Sequence, residues 1–375
     1  MGPKNVLLCD TTLRDGEQAP GVAFSFKDKE KIARSLAEAR IDELEIGVPA
    51  TGLDEEEAIK KLVTLHLPVR MATWNRAQLK DLEASYRTGV EAVGISIAVS
   101  DQHLNYKLNK SRSWVLDNIG ECIVSARKKV SYVTLGLEDA SRTDPEFLLQ
   151  VCLEAERLGV DRIRIADTLG VLDPVETYFR CLELTKNIST PLELHAHNDF
   201  GMATANAIAA IKGGFQAVSV TVCGLGERTG NASLEEVAIA LKFLLNRNIR
   251  FDTTRLNEIC AKVSKLSGRE IPRSKPVVGE DVFTHTSSIH IDGMEKHLGN
   301  YEPFPPESVD RTHSIAYGKY SGRKTILRLL ESKEIHLNNN QITEALIRVR
   351  LQSSLLKRPL DEDDILSLVR KMLPR

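Results

Sequence analysis

Short apolar runs rich in β-branched residues alternate with longer amphipathic stretches from residue 6 to about residue 246, with a period of about thirty residues. The runs predict eight strands, at residues 6–10, 44–47, 69–74, 92–99, 132–137, 162–166, 192–195 and 217–222. Between them, apolar residues recur at helical spacing, as in residues 27–40 and 146–158. We expect Ser25 to cap the first of these helices and Gly159 to end the second.

Eight strand-helix units predict an α/β protein with a (β/α)8 TIM barrel, because eight parallel strands close on themselves and the helices cover the outside. The alternative is an open doubly wound sheet, which usually carries a G-x-G-x-x-G phosphate loop after its first strand. Residues 10–18, which follow the first strand here, contain no such pattern. The barrel is therefore the predicted fold.

The alternating pattern is lost after about residue 250, which predicts a change of organisation. Residues 268–322 are rich in proline and hold four of the nine histidines, so we interpret them as an irregular linker. Helical patterns return at residues 323–331 and 341–356, with a last short helix near 361–372. We divide the chain into a catalytic barrel (1–260), a linker subdomain (261–322) and a small helical subdomain (323–375).

The composition of the chain limits the classes of molecule that it is expected to bind. The chain of 375 residues has 42% hydrophobic and 27% charged residues and a net charge of −2, so charge offers no basis for binding nucleic acid or a membrane. The six cysteines lie far apart with no C-x-x-C pair, and we interpret them as reduced, buried thiols. With no signal peptide and no apolar run long enough to cross a bilayer, we expect a cytoplasmic protein.

A charged cluster follows the first predicted strand, in residues 10–18. Arg14 stands next to Asp15, and Gly16 allows the backbone to turn there. This arrangement could hold a divalent cation through Asp15 while Arg14 stabilises a negative oxygen beside it. The alternative is a surface turn with a solvated ion pair, because Asp, Gly and Arg are common turn residues.

Two histidines, His195 and His197, stand at the end of the seventh predicted strand. Side chains two residues apart on a strand point to the same face, so both imidazoles can reach one ion. At the catalytic face of a barrel they would meet Asp15. Two imidazoles and a carboxylate suit a divalent metal; we favour Mg²⁺ or Mn²⁺, with Zn²⁺ as the alternative, and positions stay open for substrate oxygens.

Further polar residues are expected at the same face. The loop of residues 224–232 carries Glu227 and Asn231 after the eighth strand, where barrels often bind anionic ligands; a flexible glycine turn is the alternative.

Arg164 and Thr168 share one parity along the sixth strand, so both would face inward. An inward arginine needs a carboxylate partner, which a dianionic substrate would provide. Glu45 is an inward candidate on the second strand, with a solvated strand-end carboxylate as the alternative.

Taken together, the chain resembles the DRE-TIM metallolyases, acyl-CoA-condensing barrels that share a D-x-x-L-R-D-G motif. The resemblance covers nearly the whole chain and is carried by residues 10–18, 195–199, 224–232, 288–293 and 318–322. The family includes 2-isopropylmalate, citramalate and homocitrate synthases and, more distantly, a hydroxymethylglutaryl-CoA lyase. Residues 19–24 and 164–173 look most like the homocitrate synthases of nitrogen fixation.

The resemblance implies a role for each motif residue. The metal ligands would be Asp15, His195 and His197, with Asn231 in or near the coordination shell. Arg14 would stabilise the thioester enolate, and Gln18 and Thr168 would contact substrate. His290 and Tyr301 would reach the active site of the neighbouring subunit of a domain-exchanged homodimer. The catalytic base is His290 in our interpretation, supported by Tyr301 or by Glu45.

Two absences and one departure refine this expectation. The chain lacks the cysteine-containing glycine loop of the lyases, and it ends about fifty residues after Gly322, so we expect no leucine-sensing domain and no leucine feedback through one. Homocitrate synthases of lysine synthesis resemble one another in placing a histidine after the third strand and an arginine on the fifth. Residues 73–75 and 134–136 hold neither, and we therefore assign the distal carboxylate to Arg164.

The predicted function is homocitrate synthase, an acyltransferase with acetyl-CoA and 2-oxoglutarate as substrates. The nearest alternative is a 2-isopropylmalate or citramalate synthase without a regulatory domain, which would accept 2-oxoisovalerate or pyruvate. A metal-dependent aldolase or lyase that uses no CoA is a competing class, and a non-catalytic metal-binding barrel is another.

Overall fold

The computed structural model describes residues 5–372, and the chain divides into two compact units, Met1–Ile271 and Pro272–Arg375. In the first unit, eight parallel strands form a closed barrel in sequential order, with β1 paired to both β2 and β8. The strands are β1 Leu7–Asp10, β2 Glu43–Glu45, β3 Arg70–Arg76, β4 Ala92–Ala98, β5 Tyr132–Glu138, β6 Arg162–Asp167, β7 Leu192–Ala196 and β8 Ala217–Val220. The predicted (β/α)8 barrel is confirmed, with every strand boundary within two residues of its predicted place.

Helices connect the strands on the outside of the barrel. They are α1 Phe26–Glu38, α2 Leu53–Val63, α3 Leu79–Thr88, α4 Asp101–His103, α5 Arg112–Arg127, α6 Pro145–Arg157, α7 Pro174–Asn187, α8 Ala203–Lys212, α9 Leu234–Phe243 and α10 Leu256–Ser267. Ser25 caps α1, since its hydroxyl accepts a hydrogen bond from the Asp28 amide. Gly159 follows α6 with a φ of 78°, as expected of a residue that ends a helix.

The interior of the barrel contains a buried ionic network of five side chains. Arg162 Nε donates to Glu193 Oε2 at 2.6 Å, and its Nη2 donates to Glu43. Arg164 Nε donates to Glu193 Oε1 at 2.8 Å, and its Nη1 donates to Glu45 Oε2 at 2.6 Å. All five residues are buried, so each charge depends on the others for the solvation that water no longer provides.

The second unit is mostly helical. It contains α11 Ser288–Lys296, α12 Arg323–Ser332, α13 Asn339–Leu356 and α14 Glu362–Arg370, together with the short parallel strands β9 Thr284–His285 and β10 Ser314–Ile315. The three predicted C-terminal helices are confirmed, and their apolar faces share a core that includes Ile326, Val349 and Ile365. Within residues 5–372, every helix is too short or too polar to span a bilayer.

Our interpretation of residues 268–322 as an irregular linker was wrong in part, because α11 and the small parallel sheet lie inside this segment. The sequence of α11 conceals the helix, since Gly293 lies within it and glycine weakens helices. The glycine has a packing reason: a Cβ there would come within 2.4 Å of the Tyr301 ring. Helix α10 also continues past residue 260, and the first unit ends only at Ile271.

Replacing Glu193 would leave Arg162 and Arg164 short of a buried counter-charge. We expect Glu193→Ala to lower the free energy of unfolding by about 3 to 5 kcal/mol, the usual cost of removing one partner of a buried ion pair. Urea denaturation measures this loss. The control is Glu176→Ala, which breaks an exposed pair with Arg180 and should cost less than about 1 kcal/mol. Equal losses in the two variants would contradict the importance of the network.

Candidate metal centre and active site

Three predicted ligands meet at the C-terminal end of the barrel strands. Asp15 lies in the loop after β1, and His195 and His197 lie at the end of β7. Asp15 Oδ2 is 3.0 Å from His195 Nε2 and 3.7 Å from His197 Nε2. All three residues are buried, and one ligand atom from each lies within 4.8 Å of the others. The barrel thus joins two motifs that are far apart in sequence.

The chemistry of this cluster fits a divalent cation. Among residues 5–372, Asp15 Oδ2 and Asn231 Oδ1 are buried and accept no hydrogen bond of regular geometry, although Asp15 Oδ2 lies within ion-pair distance of the two histidines. Asn231 is paired with His197 through an isolated β-bridge, and its Nδ2 donates to the Leu225 carbonyl at 3.0 Å. A bound cation would satisfy both orphaned oxygens. Carboxylate, imidazole and amide oxygen together form a ligand set that Mg²⁺, Mn²⁺ or Zn²⁺ can use.

The electrostatics of the cluster favour the protonation states that metal ligands need. Burial by itself would raise the pKa of Asp15, but the charge of Arg14 and the contact with His195 hold that pKa well below its usual range. Burial, together with the neighbouring His195, lowers the pKa of His197 to about 4. Asp15 is therefore a carboxylate at neutral pH, and His197 is a neutral imidazole.

The loop after β8 is closed by hydrogen bonds between backbone groups. The Asn231 amide donates to the Gly224 carbonyl at 3.0 Å, and the Asn198 amide donates to the Gly230 carbonyl at 2.9 Å. Gly230 has a φ of 92°, and a Cβ there would come within 1.9 Å of the Gly224 oxygen. Only glycine fits this position. The loop holds Asn231 beside His197.

Arg14 lies beside the candidate metal ligands Asp15, His195 and His197. Three contacts fix its position. Its Nε donates to Glu45 Oε1 at 2.5 Å, and its Nη1 is 3.5 Å from Asp15 Oδ2. Its guanidinium carbon lies 5.7 Å from the centroid of the Trp74 ring. Such a fixed donor is suited to stabilising an oxygen that becomes negative during a reaction.

Glu45 points inward, as predicted, and the structure shows what holds it. Burial raises its pKa, but the charges of Arg14 and Arg164 outweigh burial and lower that pKa to about 2. A carboxylate with such a low pKa is a poor proton acceptor at neutral pH. In this structure Glu45 orients Arg14 rather than lying ready to take a proton.

Arg164 also faces inward and lines the cavity, but one step of our reasoning was wrong. We expected the substrate to provide the carboxylate that an inward arginine needs. The carboxylates of Glu45 and Glu193 already bind two of its nitrogens. The protein therefore compensates the charge of Arg164 by itself, and a role in substrate binding stays a prediction.

The remaining predicted substrate residues surround one cavity of about 230 Å³ in the barrel mouth. Gln18 lies in the turn Gly16–Gln18, and Glu227 lies in the closed loop after β8; both are exposed. Thr168 follows β6, and its Oγ1 accepts a hydrogen bond from the Asp139 amide at 2.9 Å. All three residues therefore line the same cavity as Arg14 and the candidate metal ligands.

His290 and Tyr301 belong to the second unit. Their rings stack with centroids 4.4 Å apart at 33°, and both side chains are exposed. The two residues predicted to act together are thus neighbours within their own unit. Their contribution to the active site of a partner subunit stays a prediction.

A family model described as HMGL-like matches residues 5–263, which is most of the chain. The chain belongs to the HMGL-like family. A second model, described as homocitrate synthase post-HMGL domain-like, matches residues 277–354. The resemblance drawn from the motifs is confirmed at the level of the family.

Individual relatives of this HMGL-like protein carry the names of synthases. The chain is 44% identical over 365 residues to 2-isopropylmalate synthase 2 of Caldanaerobacter subterraneus, covering 97% of this chain and 95% of the relative. It is 43% identical over 366 residues to homocitrate synthase 1 of Nostoc sp., and the match covers 98% of this chain and 97% of that relative. A solved hydroxymethylglutaryl-CoA lyase from Pseudomonas aeruginosa superimposes with a TM-score of 0.64 over 72% of this chain and 95% of the lyase; at 23% identity this shows a common fold.

The cavity of this HMGL-like barrel contains residues that our sequence reasoning missed. Glu138 ends β5, and its Oε1 lies 2.5 Å from Lys107 Nζ and 3.1 Å from His103 Nδ1. Glu138, Lys107 and Trp74 all line the cavity. Glu138 shares the strand parity of Thr134 and Gly136, which also line the cavity, so parity along β5 predicts its inward position as it did for Arg164 on β6. Lys107 gives no such signal, because it lies in a short π-helical turn after α4.

Removal of the central carboxylate tests the metal site. We expect Asp15→Asn to weaken Mn²⁺ binding by more than the roughly 10- to 100-fold typical of changes outside the coordination shell, since a charged ligand is lost. Isothermal titration calorimetry with the purified chain gives the dissociation constant. Asp117→Asn, on the exposed face of α5, is a matched control that should change nothing. Unaltered Mn²⁺ affinity in Asp15→Asn would rule out this site.

The low pKa of Glu45 predicts that the free energy of unfolding depends on pH in the acidic range. Because the pKa of this group falls to about 2 on folding, its contribution is complete above the unfolded pKa of about 4.3 and is lost as the pH falls toward 2. The contribution is on the order of 3 kcal/mol. Glu45→Gln should therefore be less stable than the parent at pH 6, with a difference that shrinks below about pH 4. Denaturation across pH checks this, and a constant difference down to pH 3 would contradict it.

Proposed function

We propose that this protein is a homocitrate synthase, which joins acetyl-CoA, 2-oxoglutarate and water to give homocitrate and CoA. The observation that supports it most is the position of Arg14 beside Asp15, His195 and His197 at the mouth of a barrel. A fixed cationic donor and a candidate metal cluster are what a condensation between a thioester and a keto acid requires. The resemblance to nitrogen-fixation enzymes and the 43% identity to a relative named homocitrate synthase 1 support the choice of product.

The protein side chains divide the work as follows. A divalent ion held by Asp15, His195 and His197 would polarise the carbonyl group of the keto acid. Arg14 donates hydrogen bonds to the thioester oxygen as negative charge develops there, and Glu45 keeps its guanidinium in place. The carbon nucleophile attacks C2 of the keto acid, and water then hydrolyses the thioester to release CoA.

The proton acceptor is assigned to His290 of a neighbouring subunit. Its imidazole lies against Tyr301 and is exposed, so it is available to a surface outside its own unit. Burial and ion pairing make Glu45 unsuitable for this step. The assignment implies a homodimer in which each chain completes the site of the other.

The choice of 2-oxoglutarate rests on the shape and charge of the cavity. Gly94 of β4 and Gly136 of β5 line it and leave room on that side. Lys107 and Arg164 also line it; both already pair with glutamates of the barrel, and we propose that the second carboxylate of the acceptor shares these cations with them. Both features favour a dicarboxylic acceptor over a short apolar one.

A 2-isopropylmalate or citramalate synthase is the second candidate. It is favoured by one observation, the 44% identity to a relative named 2-isopropylmalate synthase 2. Trp74 and Ile95, which also line the cavity, could contact a short apolar acceptor. The chemistry at Arg14 and the metal cluster would be the same.

One assay separates these candidates from each other and from a lyase. We expect the purified chain to release free thiol from acetyl-CoA fastest with 2-oxoglutarate, compared with 2-oxoisovalerate and pyruvate. Chelator should abolish the release, and Mn²⁺ or Mg²⁺ should restore it. A preference for 2-oxoisovalerate or pyruvate would replace the proposed name by that of the second candidate. A CoA-independent aldolase or lyase would release no thiol with any acceptor.

Substitution tests whether Lys107 and Arg164 bind the distal carboxylate of 2-oxoglutarate. We expect Lys107→Met and Arg164→Lys to raise the KM for 2-oxoglutarate by roughly 10-fold or more, the size of one lost charge-assisted hydrogen bond. The KM for acetyl-CoA should hardly change. Lys110→Met is a matched control, since Lys110 is exposed and does not line the cavity. If neither cavity variant changes the KM for 2-oxoglutarate, the distal carboxylate is bound elsewhere.

A further inference from the structure

Two cysteines and a glutamate meet in the first unit behind the loop that carries Asn231. Cys223 lies in the short segment Val222–Gly224 after β8, Glu235 lies in the first turn of α9, and Cys260 lies within α10. The two sulfur atoms and one carboxylate oxygen all lie within 4.8 Å of one another. Glu235 and Cys260 are fully buried, and Cys223 is partly exposed.

The carboxylate of Glu235 is the centre of this cluster. Its Oε2 accepts a hydrogen bond from the Cys223 amide at 3.0 Å and lies 3.8 Å from Cys260 Sγ. Cys223 Sγ lies 4.0 Å from the Cys260 carbonyl oxygen. The three side chains therefore belong to one connected group, drawn from three separate elements of the fold.

The backbone of Cys223 is unusual. Its φ is 57° and its ψ is 16°, a left-handed conformation that side chains with a Cβ rarely adopt. Such a conformation costs on the order of 1 kcal/mol or more, and residues that keep it cluster at functional sites. Here it belongs to the residue whose amide donates a hydrogen bond to the buried carboxylate of Glu235.

We propose that Cys223, Glu235 and Cys260 form a second metal site, specific for a thiophilic divalent cation such as Zn²⁺. Tetrahedral Zn²⁺ binds sulfur at about 2.3 Å and carboxylate oxygen at about 2.0 to 2.2 Å, which puts two sulfur ligands about 3.8 Å apart. Ligand atoms within 4.8 Å of one another reach this geometry with small shifts. The thiols give up their protons to solvent on binding, and water takes the fourth position on the side of the partly exposed Cys223.

The two candidate sites differ in the metals they select. Asp15, His195 and His197 offer oxygen and nitrogen and accept Mg²⁺ or Mn²⁺, whereas thiolates select softer ions. The carboxylate distinguishes the second site from a simple thiol pair, because a disulfide between Cys223 and Cys260 would make no use of it.

The second site would stabilise the loop that completes the first. Cys223 precedes Gly224, whose carbonyl accepts the hydrogen bond from the Asn231 amide. A metal at Cys223 anchors this loop to α9 and α10. The role is structural and does not depend on the reaction proposed above.

Cobalt provides the decisive readout, since thiolate ligands give Co²⁺ a charge-transfer absorption in the near ultraviolet that oxygen and nitrogen ligands do not. The reduced, chelator-treated chain is titrated with Co²⁺. We expect the absorption in the parent protein and in Asp15→Asn, and we expect its loss in Cys223→Ser and Cys260→Ser. Zn²⁺ should displace the Co²⁺ and remove the band. Cys152→Ser, which changes another buried thiol, is the matched control and should keep the band.

Three outcomes would overturn the proposal. The first is no charge-transfer band in the parent protein, and the second is a band that survives in Cys223→Ser. The third is a Cys223–Cys260 disulfide in protein purified without reductant, seen by peptide mass, together with no band after reduction. In that case the pair is redox-active and binds no metal. Thermal denaturation of each serine variant shows whether it is folded before its spectrum is interpreted.

Discussion

Two arginines on one buried strand impose the constraint on which the rest of the barrel depends. Arg162 and Arg164 point into an interior without bulk water, so each needs carboxylates at close range. Glu43, Glu45 and Glu193 meet that need from the second and seventh strands. Glu45 is shared with Arg14, which connects the ionic core of the fold directly to the active site. The same carboxylate thus satisfies the interior and orients the residue expected to stabilise an enolate.

The sequence was enough to predict the barrel and the meeting of His195 and His197, because both follow from periodic patterns. The alternation of short apolar runs with helical stretches predicted eight strands, and the parity of His195 and His197 predicted that they point to the same face. Parity also placed Arg164 inside, but it could not show which carboxylates would face it. That depends on the register between strands, in which Arg164 lies level with Glu193. In a closed barrel the stagger between strands is fixed by the closure of the whole sheet, so the pattern of one strand does not show which residue lies level with it.

The parts that sequence reasoning missed share one cause, which is that local preference gave way to packing. Helix α11 was hidden by Gly293, yet the ring of Tyr301 requires a glycine there. The cluster of Cys223, Glu235 and Cys260 has no recognisable metal spacing, because its members come from a strand end and two different helices. Lys107 reaches the cavity from a π-helical turn that no hydrophobic period predicts. Each becomes visible only after the chain has closed on itself.

The protein itself holds the central groups of the site in place. Glu45 and Asp15 fix Arg14, and the closed loop fixes Asn231 beside His197. Preorganised dipoles and charges need no reorganisation during the reaction, which is a large part of what an active site contributes. Discrimination between acceptors must then come from the side chains that are less constrained. Gln18 and Lys107 are exposed at the rim of the cavity, so differences in substrate between relatives with the same central groups should be found among residues like these.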